Sequence, residues 1–439
     1  MKSIFAATCD MPHFHSLRED AKADVLVIGG GIAGILTATL LQQEGADVLL
    51  LEAGQICSGQ TGNTTAKITS LPGFLYADLL KRYGAETARA YWEANVKALR
   101  SYYRIAAEID CDLQRRDFYA YAEQDRGALE QELSALSAIG AKAYEAHSPD
   151  LPFQTVGAVC VPDQAQFHPL RLLGALAKEL RICENTPVRG LFQGGAETAA
   201  GKIVRATRVV VATHFPFLRF RGGYPFKMHQ SRSYVLVLKD APLPNGMYAD
   251  GLHQGPSLRS FENQVLLGGA GHRTGVQGGG FEELSRLAMA YYPKAHVTHR
   301  FAAQDCMTLD GLPYIGRYTQ KSRDLFVATG FGKWGMNGAM IAAMLLRDLI
   351  LDRQNPYVDL FAPDRPWAMG AFLKNAASVL AHYVRPTRPR CPHLGCALRW
   401  NKQERSWDCP CHGSRFSELG ELIDAPATHD LRSTIVNKR

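Results

Sequence analysis

The stretch DVLVIGGGIAG, residues 24–34, decides the fold of the first part of the chain. Its β-branched start predicts a strand, and its glycines match the pattern G-x-G-x-x-G ahead of a helix predicted to end at Glu44. Such glycines permit a tight turn and let the backbone approach a pyrophosphate at the helix N-terminus. Glu52 follows a second predicted strand, 47–51, and an acidic residue there accepts hydrogen bonds from a ribose hydroxyl. This unit predicts a Rossmann-like dinucleotide-binding domain and leaves FAD and NAD as alternatives.

Further segments predict an α/β protein. Residues 76–136 show Tyr, Leu and Ala at helical spacing, whereas 157–161 and 208–213 have the composition of strands. Strands and turns alternate over 234–269, which predicts a separate, partly antiparallel sheet on the substrate side. A last unit of strand, glycines and helix covers residues 324–351.

Composition excludes several classes of protein. The 439 residues are 46% hydrophobic and 21% charged, which is typical of a globular protein and not of a disordered chain. No apolar run reaches the ~18 residues of a membrane span, and the N-terminus lacks the apolar centre of a secretory signal. We therefore expect no integral membrane segment and a cytoplasmic location. The net charge of +7 is spread along the chain, which favours small anions or an acidic partner over nucleic acid.

Four of the ten cysteines lie in two short loops, CPHLGC at 391–396 and CPCHGS at 409–414. The loops give C-x-H, fifteen intervening residues and C-x-x-H, which resembles the two ligand loops of Rieske proteins. The resemblance implies a [2Fe-2S] cluster with one iron on two thiolates and the other on two imidazoles. Its expected ligands are Cys391, His393, Cys409 and His412. Structural zinc on the same side chains is the alternative.

The Rieske resemblance has two further implications. Cys396 and Cys411 stand where Rieske proteins of the cytochrome bc type have a disulfide, although a reducing compartment makes that bond less assured. The module also looks truncated, because only residues 383–390 separate the first ligand loop from a predicted helix at 369–383. A β module this small buries little core, so we expect it to depend on its cluster, on the disulfide or on docking to the rest of the chain.

Three further segments favour FAD over NAD. They are SGQTGNTTAK at 58–67, VATH at 211–214, and TLDGLPYIG at 308–316 followed by ATGFGKWGM at 328–336. Together they resemble the D-amino-acid oxidase/glycine oxidase superfamily of FAD-dependent oxidoreductases over residues 23–366. The resemblance implies that the first segment runs along the flavin and the pyrophosphate, and that the last directs a helix N-terminus at the pyrimidine edge of the flavin. It also implies that an amine or amino acid loses hydride to the flavin at a carbon–nitrogen bond.

The motif and the resemblance together give two sets of expected site residues. The cofactor-binding set is Gly29, Gly31, Ile32, Ala33, Gly34, Glu52, Ala53, Ser58, Gly59, Thr64, Thr65, Ala66, Lys67, Val188, Ala212, Thr213, Gly330, Gly332, Lys333, Trp334, Gly335 and Met336. The catalytic set is Lys333, Trp334, Tyr234 and His229. A cation at Lys333 and a helix N-terminus at Gly335 would stabilise negative charge on the reduced flavin. The alternatives are a solvated surface lysine for Lys333 and ordinary core or sheet residues for the other three.

These observations predict an α/β chain of four parts: an N-terminal arm at 1–22, an FAD-dependent oxidoreductase domain at 23–355, a linker with a helix at 356–390 and a Rieske-like β module at 391–439. The substrate sheet, at about 225–305, is expected to interleave with the FAD-binding part. The combination resembles bacterial Rieske-containing FAD-dependent oxidoreductases.

A flavin takes two electrons and a Rieske cluster carries one at a time. The leading hypothesis is therefore an amine or amino-acid dehydrogenase that passes electrons through the cluster to an external acceptor protein or quinone. The alternatives are an oxygen-using oxidase that releases hydrogen peroxide and keeps a vestigial tail, and a redox-sensing protein. The sequence specifies neither the substrate nor the oligomeric state.

Overall fold

The computed structural model describes residues 2–147, 149–218, 221–366, 369–387 and 389–431. The α-helices in these ranges are α1 (Ile4–Ala7), α2 (Ile32–Gln43), α3 (Tyr76–Ala106), α4 (Arg126–Ala138), α5 (Pro169–Ala177), α6 (Tyr224–Lys227), α7 (Phe281–Tyr291), α8 (Gly335–Ile350), α9 (Val358–Phe361) and α10 (Met369–Tyr383). The strands are β1 (Ala21–Ile28), β2 (Val48–Leu51), β3 (Lys67–Ile68), β4 (Gln114–Ala122), β5 (Tyr144–Ala146), β6 (Gly157–Gln166), β7 (Arg181–Cys183), β8 (Val188–Phe192), β9 (Gly195–Thr198), β10 (Ile203–Val211), β11 (Met228–Lys239), β12 (Met247–Asp250), β13 (Ser257–Phe261), β14 (Gln264–Arg273), β15 (His296–Thr308), β16 (Tyr314–Arg317), β17 (Leu325–Thr329), β18 (Arg399–Asn401), β19 (Ser406–Asp408), β20 (Arg415–Ser417) and β21 (Leu422–Asp424).

The first sheet contains the predicted dinucleotide unit. Its order is β16-β17-β10-β1-β2-β7, and the hairpin of β8 and β9 is attached to β10. The central strands pair in parallel, whereas β16 runs antiparallel to β17. The second half of β1 is buried, as expected for a parallel strand covered on both faces. The predicted strand, glycine turn, helix and second strand are thus confirmed as β1, α2 and β2.

The second sheet has the order β15-β11-β14-β13-β12-β4-β6-β3, with β5 paired to β6. Strands β11 to β15 occupy the region expected for the substrate sheet, and β3 to β6 come from earlier in the chain. The prediction of helix throughout 76–136 is wrong, because β4 lies between α3 and α4. Its sequence QRRDFYAYA contains three aromatic residues, which are common in strands, and pairing with β6 and β12 gives this segment its strand conformation.

The C-terminal module, defined here as residues 391–431, contains the meander β18-β19-β20-β21 and both cysteine loops. The four cysteines of the loops pack with Leu398, Phe416 and Ala427 in a small core of its own. The helix predicted at 369–383 is confirmed as α10, and it contacts both parts of the chain. Its Val379 packs on the core of the module, and its Asn375 side chain donates to the Phe226 carbonyl (3.0 Å).

Candidate active site and cluster site

A cavity of about 710 Å³ lies where the ends of β1, β2 and β10 meet the second sheet. Ile28, Leu51 and Ala212 line it from the first sheet, and Ser233 and Asp305 line it from the second. Its size is that of cofactor and substrate sites, and the carboxyl edge of a parallel sheet is where nucleotides bind in open α/β folds.

The turn between β1 and α2 closes one end of the cavity, and two of its glycines admit no side chain. A Cβ at Gly29, whose φ is 111°, would lie 2.5 Å from the Ala212 carbonyl oxygen, and one at Gly34 would lie 1.9 Å from the Gly29 oxygen. Gly31 is the N-cap of α2 and lines the cavity, so no side chain of its own covers the helix end. The turn therefore presents backbone to the cavity in the way a pyrophosphate requires.

Glu52 follows β2 at the edge of the same cavity. Its Oε2 accepts a hydrogen bond from the Gly30 amide at 2.6 Å, and its Oε1 accepts one from the Gly54 amide at 2.8 Å. Because a carboxylate has about four acceptor sites, both oxygens keep lone pairs for a ribose hydroxyl.

Three buried polar atoms on the cavity wall have no hydrogen-bond partner within the described ranges. They are His214 Nε2, Ser233 Oγ and Trp334 Nε1. Buried polar atoms are costly to leave unpaired, so their convergence on one cavity fits a polar cofactor with its substrate. The glycine turn, Glu52 and these atoms together fit FAD.

Most of the expected cofactor-binding residues line this cavity. They are Gly29, Gly31, Ile32, Ala33, Glu52, Ala53, Ser58, Gly59, Thr64, Thr65, Lys67, Val188, Ala212, Thr213, Gly332, Lys333, Trp334, Gly335 and Met336. The structure places Gly34, Ala66 and Gly330 behind the wall. Gly34 packs on Gly29, Ala66 is fully buried, and a Cβ at Gly330 would lie 2.4 Å from the Thr308 methyl group. The binding roles themselves remain predictions.

Three of the four residues expected to be catalytic line the cavity: Lys333, Trp334 and Tyr234. The Tyr234 hydroxyl is already engaged, because it lies 2.9 Å from His272 Nε2 and donates to Glu404 Oε1 at 3.0 Å. It is therefore not free to orient an amine.

His229 lies outside the cavity and does not join the other three. The start of β11 is covered by α10, whose Asn375 side chain donates to the neighbouring Met228 carbonyl at 3.5 Å. Burial, together with the charge of Arg273, lowers the pKa of His229 to about 4. These surroundings separate it from the expected pocket.

Several polar residues of the cavity wall were missed by sequence reasoning: Gln60, His214, Asp250, His253, Ser257, Gln304 and Asp305. The one available signal was the pair Gln304 and Asp305, two polar residues that lie shortly before the segment TLDGLPYIG at 308–316. Lys67, which was expected, donates to Thr65 Oγ1 at 3.3 Å and to Ser257 Oγ at 3.2 Å. Burial, assisted by Arg259, lowers the pKa of Lys67 to about 7.

The two cysteine loops bring the four expected cluster ligands together. The rings of His393 and His412 lie 5.0 Å apart between centroids, and a hydrogen bond with the neighbouring Cys409 lowers the pKa of the Cys391 thiol. All four side chains are buried, and neither ring nitrogen of His412 has hydrogen-bond geometry to a described residue. Two adjacent thiols and two adjacent imidazoles, all of them buried, fit a cluster with mixed ligands.

Cys396 and Cys411 form a disulfide that joins the two loops. The sulfur atoms of Cys396, Cys409 and Cys411 lie within 4.8 Å of one another, but the disulfide removes two of these three as metal ligands. In the structure, the disulfide and the expected cluster ligands therefore use different cysteines.

The candidate cluster ligands face the cavity through one aromatic side chain. Phe215, which follows β10, lies edge-on to His393 at 6.3 Å and to His412 at 6.1 Å between ring centroids. Phe215 also lines the cavity. A single ring therefore connects the cavity wall to both imidazoles.

Hydrogen bonds hold the module against the second sheet. Gln230 Nε2 donates to the His412 carbonyl at 2.5 Å, and Gln304 Nε2 donates to the Gly413 carbonyl at 2.8 Å. The module also forms part of the cavity wall, through residues 422–425, 427 and 428. The expected dependence of the small module on docking is consistent with these contacts.

A buried ion pair adds to this interface. Arg232 of β11 donates to both carboxylate oxygens of Glu404, which lies between β18 and β19. Arg415 of β20 also donates to Glu404, at 3.0 Å. Both arginines and the carboxylate are nearly inaccessible to solvent, so this contact is an internal part of the structure.

The fold and the two sites define a class of protein: a flavoprotein oxidoreductase joined to a Rieske-type cluster module. A sequence model described as FAD dependent oxidoreductase (DAO) matches residues 24–349, and one described as Rieske [2Fe-2S] domain matches residues 375–434. The chain belongs to this family of FAD-dependent oxidoreductases, carries a C-terminal Rieske domain, and has FAD and a [2Fe-2S] cluster as its cofactors.

Known proteins resemble the chain over its whole length or over the flavoprotein part. A Bacillus subtilis (strain 168) protein named as a Rieske 2Fe-2S iron-sulfur protein, YhfW, is 32% identical over 98% of this chain and 97% of its own length. Glycine oxidase of the same organism is 26% identical over 79% of this chain and 98% of its own. Among solved structures, L-proline dehydrogenase from P. horikoshii has a TM-score of 0.66 at 18% identity, covering 79% of this chain and 98% of that one.

No helix in the described ranges is both long enough and apolar enough to cross a membrane. The cytoplasmic location remains a prediction.

Proposed function

We propose that the chain oxidises a carbon–nitrogen bond of an amine or amino acid, and that the electrons pass from FAD through the Rieske cluster to an external acceptor protein or quinone. The substrate class is supported by glycine oxidase, L-proline dehydrogenase and L-amino acid deaminase, which resemble the flavoprotein part. The electron path is supported by Phe215, whose ring lines the cavity and contacts both candidate cluster imidazoles.

When bound, FAD accepts two electrons as hydride and can release them singly, whereas the cluster takes one electron at a time. The residues of the turn before α2 would hold the pyrophosphate, and Glu52 would hold the ribose of the adenosine part.

The start of α8 would stabilise the negative charge that hydride brings. Trp334 is the N-cap of this helix and makes no side-chain capping bond, so the first-turn amides keep their positive end towards the cavity wall. Lys333 stands directly before it with a φ of 72° and lines the cavity. A cation and a helix N-terminus at one point favour a reduced, anionic flavin.

Packing around Trp334 would keep water out of the reaction. Its ring meets Phe118 edge-on at 5.6 Å and lies 6.1 Å from the ring of His253, all between centroids. Burial, with the charge of Lys333 adding to it, lowers the pKa of His253 to about 4, so this imidazole is neutral at pH 7. A neutral imidazole and a packed indole suit hydride transfer, which needs a dry and ordered pocket.

The test follows electrons after anaerobic mixing with an amine, by flavin absorbance and by freeze-quenched EPR of the cluster. In the wild type we expect flavin reduction followed by the cluster signal. Phe215→Leu should keep the first step and slow the second, and Cys409→Ser should keep the first and abolish the second. If Cys409→Ser releases hydrogen peroxide as fast as the wild type in air, and the wild-type cluster is never reduced, the protein is an oxidase and the relay is refuted.

A further inference from the structure

Asp305 is a carboxylate on the cavity wall, and none of the residue roles proposed above involves it. It lies on β15 opposite Ser231 of β11, and the next pair on the same face of the sheet is Ala303 with Ser233. Asp305, Ala303 and Ser233 all line the cavity. The strand register therefore places one acidic group and one hydroxyl side by side on the substrate side of the cavity.

No hydrogen bond or ion pair to another described residue satisfies the side chain of Asp305. The other acidic groups of the wall are engaged. Glu52 accepts two backbone amides, Asp250 accepts the amides of residues 252, 254 and 255, and Asp424 accepts from Gln60 and Arg415. Asp305 is thus the carboxylate that the described part of the wall leaves available to a ligand.

The charged groups that face Asp305 come from two elements. Lys333 precedes α8, and Arg232 lies on β11, where Glu404 of the module already binds it. A Cβ added at Gly271 of β14 would lie 3.2 Å from Ser233 Oγ and 3.5 Å from Lys333 Nζ, so these groups converge on one region. Burial raises the pKa of Asp305 to about 6, although Lys333 and Arg232 oppose the rise. At pH 7 the group is ionised in most molecules and is a usable proton acceptor.

We propose that Asp305 binds the nitrogen of the substrate and takes a proton from it. This inference rests on the proposed amine oxidation. The substrate enters as an ammonium ion, and a carboxylate oxygen of Asp305 accepts one N–H proton, which leaves a neutral amine and a protonated Asp305. The C–H bond of the α-carbon then breaks, and its electron pair leaves as hydride for oxidised flavin. The nitrogen lone pair forms the new C=N bond of an iminium ion, so the substrate loses two electrons and FAD gains them.

This arrangement also selects a class of substrate. No arginine is among the described residues that line the cavity, and Lys67 is already bonded to the hydroxyls of Thr65 and Ser257. Paired recognition of a carboxylate normally uses the fork of an arginine. The substrates are therefore primary or secondary amines that are recognised through their charged nitrogen, and a carboxylate on the α-carbon is dispensable.

The experiment measures anaerobic flavin reduction by stopped flow in the wild type, Asp305→Asn and Asp305→Glu. Glu282→Gln, which changes an exposed carboxylate on α7, is the control. Flavin content and the EPR signal of the reduced cluster establish that each variant is assembled, and Asp305→Ser replaces Asp305→Asn if the latter does not bind FAD. The amines are tested in pairs that differ by a carboxylate: glycine and methylamine, sarcosine and dimethylamine, L-proline and pyrrolidine.

We expect Asp305→Asn to slow flavin reduction by roughly a hundredfold or more, the usual size of a general-base contribution, and Asp305→Glu to recover part of the rate. The wild-type rate constant should rise as pH increases through about 6, because the carboxylate must be ionised, and this rise should be absent in Asp305→Asn. In each reactive pair, the amine without a carboxylate should keep at least about a tenth of the rate of its partner. A rate in Asp305→Asn within threefold of the wild type, or strict dependence on the carboxylate, overturns the inference.

Failure of the proposed function would look different, since no amine would then reduce the wild-type flavin. In that case a binding measurement tests the inference, with benzylamine as the probe and the absorbance of oxidised flavin as the readout. Binding at least tenfold weaker in Asp305→Asn than in the wild type supports nitrogen recognition by Asp305. Equal affinity in the two proteins, or no binding to either, overturns it.

Discussion

Replacing Glu404 by glutamine removes one charge from the interface between the C-terminal module and the second sheet. Arg232 donates to both oxygens of Glu404, and the two side chains are 6% and 10% exposed. In Glu404→Gln the shape is kept, but Arg232 is left with Asp424, 3.9 Å away, as its nearest anion. Arg415 keeps short contacts to Asp408 at 3.0 Å and to Asp424 at 3.1 Å. The substitution therefore leaves Arg232 poorly paired, whereas Arg415 remains paired.

Removing one partner from a buried ion pair costs about 3–5 kcal/mol. Since Asp424 compensates Arg232 in part, we expect the low end, about 3 kcal/mol, which is roughly a hundredfold in the docking equilibrium. The assay is urea unfolding of the protein with both cofactors bound, followed through loss of the cluster absorbance. The matched control is Glu418→Gln in the same module, where the pair with Arg405 is 42% and 72% exposed and should contribute about 0–1 kcal/mol.

Equal losses of stability in Glu404→Gln and Glu418→Gln would refute this reasoning. A second measurement separates the cost of an unpaired charge from the value of the pair. In a double variant with methionine at 232 and 404 no buried charge is left without its partner, so its stability should lie closer to the wild type than that of Glu404→Gln.

Three more measurements address pH, the glycine turn and Gln60. Burial raises the pKa of Glu404, but Arg232 and Arg415 bring this pKa below its ordinary value. The stabilisation from the Glu404 carboxylate is therefore complete above the unfolded-state pKa and is lost as pH falls through the folded-state pKa. The difference in unfolding free energy between the wild type and Glu404→Gln should shrink from pH 7 to pH 4. Gly34→Ala should yield protein without flavin, because its Cβ would meet backbone, whereas Gly190→Ala, with open space at its Cβ, should keep the wild-type ratio of flavin to protein. Gln60→Leu loses its bonds to Asp424 and to the Gln304 amide. At about 1 kcal/mol per bond, it should weaken FAD retention, measured by dialysis, roughly thirtyfold.

The parts that sequence could predict are those where neighbouring residues determine the structure. The glycines at 29, 31 and 34 shape one turn between adjacent elements, and Cys391 with His393 lies within one short loop. Helix α10 was bounded correctly because prolines flank it on both sides.

The parts that sequence could not predict depend on partners far along the chain. Strand β4 has residues common in helices, and only its partners β6 and β12 fix its conformation. Asp305 reaches the cavity through the register of β15 on β11, and Phe215 meets the imidazoles only because the module docks there. Tyr234 was expected to meet substrate, but its hydroxyl binds Glu404, 170 positions away. Long-range pairing of this kind leaves no local pattern to read.

The burial of the two imidazoles sets an order for the maturation of the protein. His393 and His412 are 4% and 1% exposed once the module rests on Phe215 and Gln230. Because the ligands are enclosed in this way, we expect cluster insertion to precede closure of the module. Residues 422–425, 427 and 428 of the module line the FAD cavity, so we expect flavin entry to belong to the same sequence. Chemical reconstitution of protein purified without iron is therefore expected to require a mild denaturant that opens the module, followed by refolding with both cofactors present.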